Sequence, residues 1–295
     1  MAWWTRLDDR AVVEASGPDL RRLLQGLVSN DVDALTPEHP LYAALLTPQG
    51  KYLFDFLMVE VGDALWLDVE AARADDFVRR LTMYRLRAKA EFVRRGEFAV
   101  YAVFGDDAPT PMAAEGAVVL ADPRLARLGW RVLGPAEVVE PLLAGRYEPA
   151  SPAAYDAHRL ALGVPDGSRD LEPDKALLLE SGFVELHGVA FDKGCFVGQE
   201  LTARMRYRAT VRKRLLPVRL DGRVEPGTPV MDGEVEVGEM RSVQEAQGLA
   251  LIRLDRWQRA LEAERPLHAG EVTVSPWVPD WVDLSFASKT ADSSA

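Results

Sequence analysis

The sequence predicts an α+β fold followed by a small antiparallel β-barrel or sandwich, and three observations predict it. Over roughly the first hundred residues, strand pairs alternate with amphipathic helices, the order expected of helices packed on a mostly antiparallel sheet. From residue 211 onward short apolar runs recur, "LLPVRL", "VEVGEMRSV", "GLALIRL" and "EVTVSPWVP", broken by Gly, Pro and Asp. A chain of 295 residues with 48% hydrophobic and 27% charged content is long enough for two domains, or one large domain with a satellite.

The elements follow in order. Ser16 is expected to cap a helix with Pro18 and Asp19 in its first turn and a stripe of Leu20, Leu23, Leu24, Leu27 and Val28. Strands are expected over "YAALLTPQGKYLFDFLMVEV" and "ALWLDVE", turning at Pro48-Gln49-Gly50 and Val61-Gly62-Asp63. Helical period returns through Phe77, Leu81 and Tyr84. A loop rich in Ala, Pro and Gly at 105–116 divides the α+β part into two subdomains; "RLGWRVLG" reads as a strand, and "SPAAYDAHRLALGVP" as a helix capped by Ser151. Residues 166–200 read as irregular backbone of the kind that lines sites. The expected organisation is an α+β domain over 1–208, a β-domain over 209–284 carrying a short helix at "DRWQRALEAE", and a disordered tail over 285–295.

Composition narrows the function. One cysteine excludes an internal disulfide and any metal or cluster site built from several thiolates of one chain. The four histidines are scattered, so no metal site is expected. A net charge of −11 argues against direct nucleic-acid binding. The start "MAWWTRLDDR" lacks a secretory leader and no apolar run is long enough to span a bilayer, which together point to a cytoplasmic protein away from membranes.

Three features stand out. Asp55 is the one acid inside "YLFDFLMVEV", whose alternating faces, Tyr52, Phe54, Phe56, Met58 and Leu53, Asp55, Leu57, Val59, Val61, are both apolar. It is either a functional acid of raised pKa or a structural acid hydrogen-bonded within the fold. Cys195 lies between Gly194 and Gly198 near Lys193, at the possible start of a helix through Leu201 and Met205. A nearby cation and a helix N-terminus would favour the thiolate, whereas most single cysteines are inert and buried. "RMRYRATVRKR" at 204–214 is a basic cluster in an acidic chain, either a solvated strand face or a site for an anionic ligand tail or partner.

The segment "KGCFVGQELTAR" resembles the K-G-C-[YF]-x-G-Q-E-x-x-x-R signature of the YgfZ family of folate-binding proteins, with Lys193, Gly194, Cys195, Gly198, Gln199, Glu200 and Arg204 at the fixed positions. "LLQGLVSNDV" and "YRLRAKAEF" are similar to text of the related glycine-cleavage aminomethyltransferases and of the family's N-terminal module, and "VGEMRS" with "GLALIRL" is similar to its C-terminal barrel. The resemblance covers roughly residues 10–280. It implies an aminomethyltransferase-like folate-binding fold of α+β subdomains around a central pocket, with a C-terminal antiparallel β-barrel. It also implies tetrahydrofolate, or a one-carbon derivative, as cofactor and a monomer that supports iron-sulfur cluster assembly or repair, with iron-sulfur enzymes or assembly proteins as partners, among them radical enzymes that modify transfer RNA.

On that resemblance Cys195 is the reactive residue and Glu180 the carboxylate that binds the pterin, although Leu178 replaces the proline of the P-x-E pattern. Lys193 and Arg204 tune the thiol and fix its loop; Gly194, Gly198, Gln199 and Glu200 complete the site. Glu200 and Arg204 could pair across one helical turn. The transferase relatives carry two adjacent acids where this chain has Phe54 and Asp55. This leaves an aminomethyl transferase with Asp55 as its catalytic acid as an alternative, and a docking protein using the basic strand as another.

Overall fold

The computed structural model describes residues 1–105, 108–208 and 211–284. The tail expected to be disordered, part of the loop at 105–116 and the residue at the 209 boundary lie outside these. Two compact units interleave along the chain: the first comprises Met1–Pro48, Tyr52–Tyr155 and Leu186–Val197, the second Gln49–Lys51, Asp156–Glu185 and the chain from Gly198.

The first unit holds β1 (Trp3–Arg6), β2 (Arg10–Ser16), α1 (Leu20–Gln25), β3 (Leu41–Leu46), β4 (Tyr52–Val61), β5 (Ala64–Glu70), α2 (Ala74–Arg85), β6 (Glu91–Arg94), β7 (Phe98–Phe104), β8 (Val118–Ala121), β9 (Trp130–Pro135), α3 (Ala136–Ala144) and β10 (Glu148–Pro149). They form two five-stranded sheets, β3-β4-β5-β2-β6 and β10-β1-β7-β9-β8. The first sheet is antiparallel throughout, and one face buries Phe54 and Phe56 against Phe77 of α2 and Leu20 and Leu24 of α1. Burial of side chains this large is the dominant stabilising contribution, about 1.5–3 kcal/mol each. The second sheet packs Tyr101, Val103 and Val132 against Val139 and Leu143 of α3.

Between the two sheets Trp66 stacks on Phe98 at 4.5 Å, beside a buried chain of charges. Arg10 pairs with Asp68 at 2.7 Å, Arg124 with Asp122 at 2.7 Å, and Arg131 bridges the two acids at 4.0 and 3.5 Å.

The second unit contains most of α4 (Pro152–Leu162), then α5 (Gly167–Asp170), α6 (Gln199–Arg208), β11 (Lys213–Leu220), β12 (Pro229–Asp232), β13 (Val235–Gln244), β14 (Gln247–Arg253), α7 (Leu254–Glu262), β15 (Leu267–Ala269) and β16 (Val272–Pro276). The strands close into a six-stranded antiparallel barrel, β11-β14-β13-β12-β15-β16, sealed by β11 against β16. Its interior is filled by Leu216, Val218, Val230, Val237, Met240, Ala250 and Ile252. Barrel rather than sandwich is the outcome here, and closure removes the exposed edges.

Two local expectations are corrected. Ser16 does not cap α1: it ends β2 opposite Glu91, so its backbone belongs to the sheet. The helix is only the six residues Leu20–Gln25, while Leu27 is buried in the turn that follows and Val28 in a bridge to Leu45. Ser151 does cap α4, its hydroxyl accepting from the Ala154 amide at 3.2 Å.

Candidate functional site

Asp55 sits on β4 at 4% exposure, opposite Ala44 of β3. Its carboxylate accepts from the Tyr42 hydroxyl at 2.9 Å and the Tyr52 hydroxyl at 2.6 Å. Strict alternation assigns Tyr52 to the face opposite Asp55. A break in register between Leu45 and Leu46 inserts one extra residue into β4, reverses its parity and brings Tyr52 to Asp55's side, while Leu53 joins Phe54 in the helix-facing core. Burial, then the Asp55 charge, raises both phenols well above their ordinary range, which keeps them protonated as donors. The Arg124 guanidinium lies over the Tyr42 ring at 5.6 Å. Asp55 is thus a carboxylate held inside the fold by two hydroxyls, the structural alternative raised by the sequence.

Cys195 is exposed. It is not in the first turn of a helix, since α6 begins only at Gln199. The segment that carries it, residues 186–197, is irregular backbone fastened to residues 25–32. The Ala190 amide donates to Ser29 O at 3.0 Å and the Val197 amide to Gly26 O at 3.2 Å. The Ser29 hydroxyl donates to Gly188 O at 2.6 Å, and the Asn30 amide donates to both Tyr42 O and His187 O at 2.7 Å.

The Lys193 ammonium donates to Val28 O at 2.7 Å and Asn30 O at 2.5 Å. Burial lowers its pKa to about 8, with the charges of Asp31 and Asp33 pulling the other way. Gly194 adopts φ +93°, a conformation suited to glycine, and Phe196, next to Cys195 in sequence, is buried with Lys193 Nζ 5.3 Å from its ring centroid. Sequence reasoning missed Tyr42, Tyr52, Ser29 and Asn30; the polar Ser29-Asn30 pair following the apolar Leu27-Val28 was the available signal.

Glu180 belongs to the second unit, in a 3-10 turn at Leu178–Ser181. That turn is held by Arg214 of β11, which donates to Leu179 O at 2.8 Å and pairs with Glu185 at 2.5 Å, and it ends at Gly182, φ +81°, against the Trp281 ring. Glu180 is half-buried, and among the described residues it makes no hydrogen bond or ion pair. Burial raises its pKa against the pull of Lys213 and Lys51. Helix α6 packs on this turn and carries Gln199, Glu200 and Arg204. Glu200 and Arg204 are both exposed, and no ion pair joins them. Gly198, φ +82°, precedes the helix, and its carbonyl lies so close to Gly50 that a Cβ there would stand 2.7 Å away. The basic strand is corrected too: Arg214 is 2% exposed and structural, whereas Arg204, Tyr207 and Arg208 of α6 face solvent.

The chain adopts the aminomethyltransferase fold with a closed antiparallel barrel at its C-terminus. It superposes on the glycine cleavage system aminomethyltransferase T of Bartonella henselae with a TM-score of 0.73 over 95% of this chain and 86% of that one, at 14% identity. Residues 212–284 match the CAF17 C-terminal beta-barrel domain. Over 94% of its length the chain is 34% identical to the mitochondrial iron-sulfur cluster assembly factor IBA57 of Mus musculus and to that of Homo sapiens, covering 85% and 84% of those proteins. The homolog of Mycosarcoma maydis is 30% identical over 94% of this chain and 84% of its own.

The chain belongs to the IBA57 family of iron-sulfur cluster assembly factors, a narrower placement than the related YgfZ family that the signature suggested. These relatives are named mitochondrial, which overturns the cytoplasmic expectation and points to the mitochondrion. That expectation rests on secretory features alone, which do not separate compartments reached by other routes.

Proposed function

We infer that this protein is a tetrahydrofolate-binding accessory factor for assembly or repair of iron-sulfur clusters, with iron-sulfur enzymes as clients, including radical enzymes that modify transfer RNA. The observation that carries the reading is the whole-length likeness to the IBA57 assembly factors. A chain with one cysteine cannot enclose a cluster by itself, so the cluster is cargo or client rather than a resident group. Cys195 is the exposed thiol offered to an assembly partner.

Glu180 fits the pterin edge of a folate. A half-buried carboxylate free of protein hydrogen bonds among the described residues can accept two parallel bonds from an amino-pyrimidinone, as it would from a guanidinium. Arg204 and Arg208, exposed on the helix that packs on the Glu180 turn, suit the anionic glutamate tail. The transferase alternative is not favoured, because both oxygens of its proposed catalytic acid, Asp55, are engaged by buried tyrosines.

Calorimetric titration with tetrahydrofolate tests the pocket. Saturable binding is expected, weakened about tenfold or more by Glu180→Ala, the loss of roughly one charged hydrogen-bond pair; absence of binding would remove folate from the reading. In cells lacking the protein, Cys195→Ala should bind folate normally yet leave iron-sulfur enzymes unsupported. Full rescue by that variant would remove the exposed Cys195 thiol from the reading.

A further inference from the structure

We propose that Asn30 and Lys193 are positioning residues that clamp the Cys195 segment at two points and so set where its thiol is displayed, an inference that rests on the assembly-factor reading. The two side chains come from distant parts of the sequence, and each makes bonds that the other does not. Asn30 uses one amide group to join Tyr42 O, on β3, to His187 O, at the start of the segment. Its own carbonyl receives the Lys193 ammonium, which also takes Val28 O. The clamp therefore grips the segment at residue 187 and again at 193. Beyond Lys193, Phe196 is buried and the Val197 amide is fixed to Gly26 O, so Cys195 projects from a short span anchored on both sides.

The same asparagine connects the two features that the sequence singled out separately. Tyr42 gives its carbonyl to Asn30 and its hydroxyl to Asp55, whose other oxygen takes the Tyr52 hydroxyl. Asp55 is thus linked to the support of the thiol segment through Tyr42, whose backbone carbonyl and side-chain hydroxyl make the two separate bonds within one unit. A carboxylate buried for this purpose needs no access to substrate. Every one of these bonds is donated by a neutral amide or hydroxyl or by an ammonium to an oxygen, as buried polar groups require.

Amide hydrogen exchange on the full chain tests the clamp. In Asn30→Ala and in Lys193→Met, the Ala190 and Val197 amides should exchange at least tenfold faster, while amides of β4 keep their wild-type rates. Lys193→Arg, which still presents donors to both carbonyls, should restore slow exchange. In cells lacking the protein, the first two variants should lose support of iron-sulfur enzymes and Lys193→Arg should regain it. Exchange at Ala190 and Val197 within twofold of wild type overturns the clamp. Faster exchange with full support of the enzymes overturns the positioning role, since the segment would then be structural only. Should Cys195→Ala itself support the enzymes fully, the assembly reading of the thiol fails, and the exchange rates still judge the clamp independently.

Discussion

Removing the Asp55 carboxylate takes an acceptor away from two buried hydroxyls, those of Tyr42 and Tyr52. Asp55→Ala should therefore lower unfolding stability by about 2–4 kcal/mol, the cost of leaving buried donors without an acceptor, measurable as a fall in the urea midpoint. The transferase alternative instead requires a stable protein that has lost only turnover, and an unchanged midpoint would support it. Lys193 makes a pH-dependent contribution. Its folded pKa of about 8 lies below the ordinary 10.5, so between those values the unfolded chain binds more protons than the folded one and stability rises with pH. Asp31 and Asp33 face the ammonium and limit the shift. Urea midpoints followed across that window should rise in wild type relative to Lys193→Met, which has no such proton; parallel curves would show that Lys193 titrates normally. Deprotonation leaves an amine with two N–H groups for two carbonyls, so the clamp outlasts the charge.

At the scale of elements, the start of β11 separates arginines that look alike in sequence. Arg214 is fixed to Leu179 O and Glu185 inside the second unit, whereas Arg212 is exposed. Arg214→Glu should destabilise by about 3–5 kcal/mol, because it buries one acid beside another, while Arg212→Glu should lie within about 0.5 kcal/mol of wild type. Thermal unfolding of the two variants separates them; equal behaviour would mean that the Arg214 pair contributes nothing. Legibility followed the same division. Two-sided burial of β4, the helical stripe through Phe77 and Leu81, and the Ser151 cap were readable because each is written within a dozen residues. The β4 bulge, the truncation of α1 by the pairing of Ser16, and the short strands β1, β8 and β10 were not, since each depends on a partner strand elsewhere in the chain. For the site, the signature marked the thiol segment and the P-x-E likeness suggested Glu180, but the residues holding these stretches, Asn30 and Arg214, carry no local mark of that duty.

For the whole molecule, net charge and cysteine count limited the kinds of function, but the interleaving of the two units was invisible. No run of composition marks the return of residues 186–197 to the unit begun at Met1, because the tie consists of hydrogen bonds spanning more than 150 positions. That span has a consequence for biosynthesis. When the ribosome has delivered Ser29 and Asn30, the carbonyls they will bind, Gly188 and His187, do not yet exist. At ordinary elongation rates of about 5–20 residues per second, the wait is on the order of ten to thirty seconds. Throughout it the first unit is unfinished, and Ser29 and Asn30 can meet only their nearer partners, the Ala44 amide and Tyr42 O. The cysteine emerges within the same short stretch that completes the unit, so the nascent chain acquires its thiol and the seat for that thiol almost together.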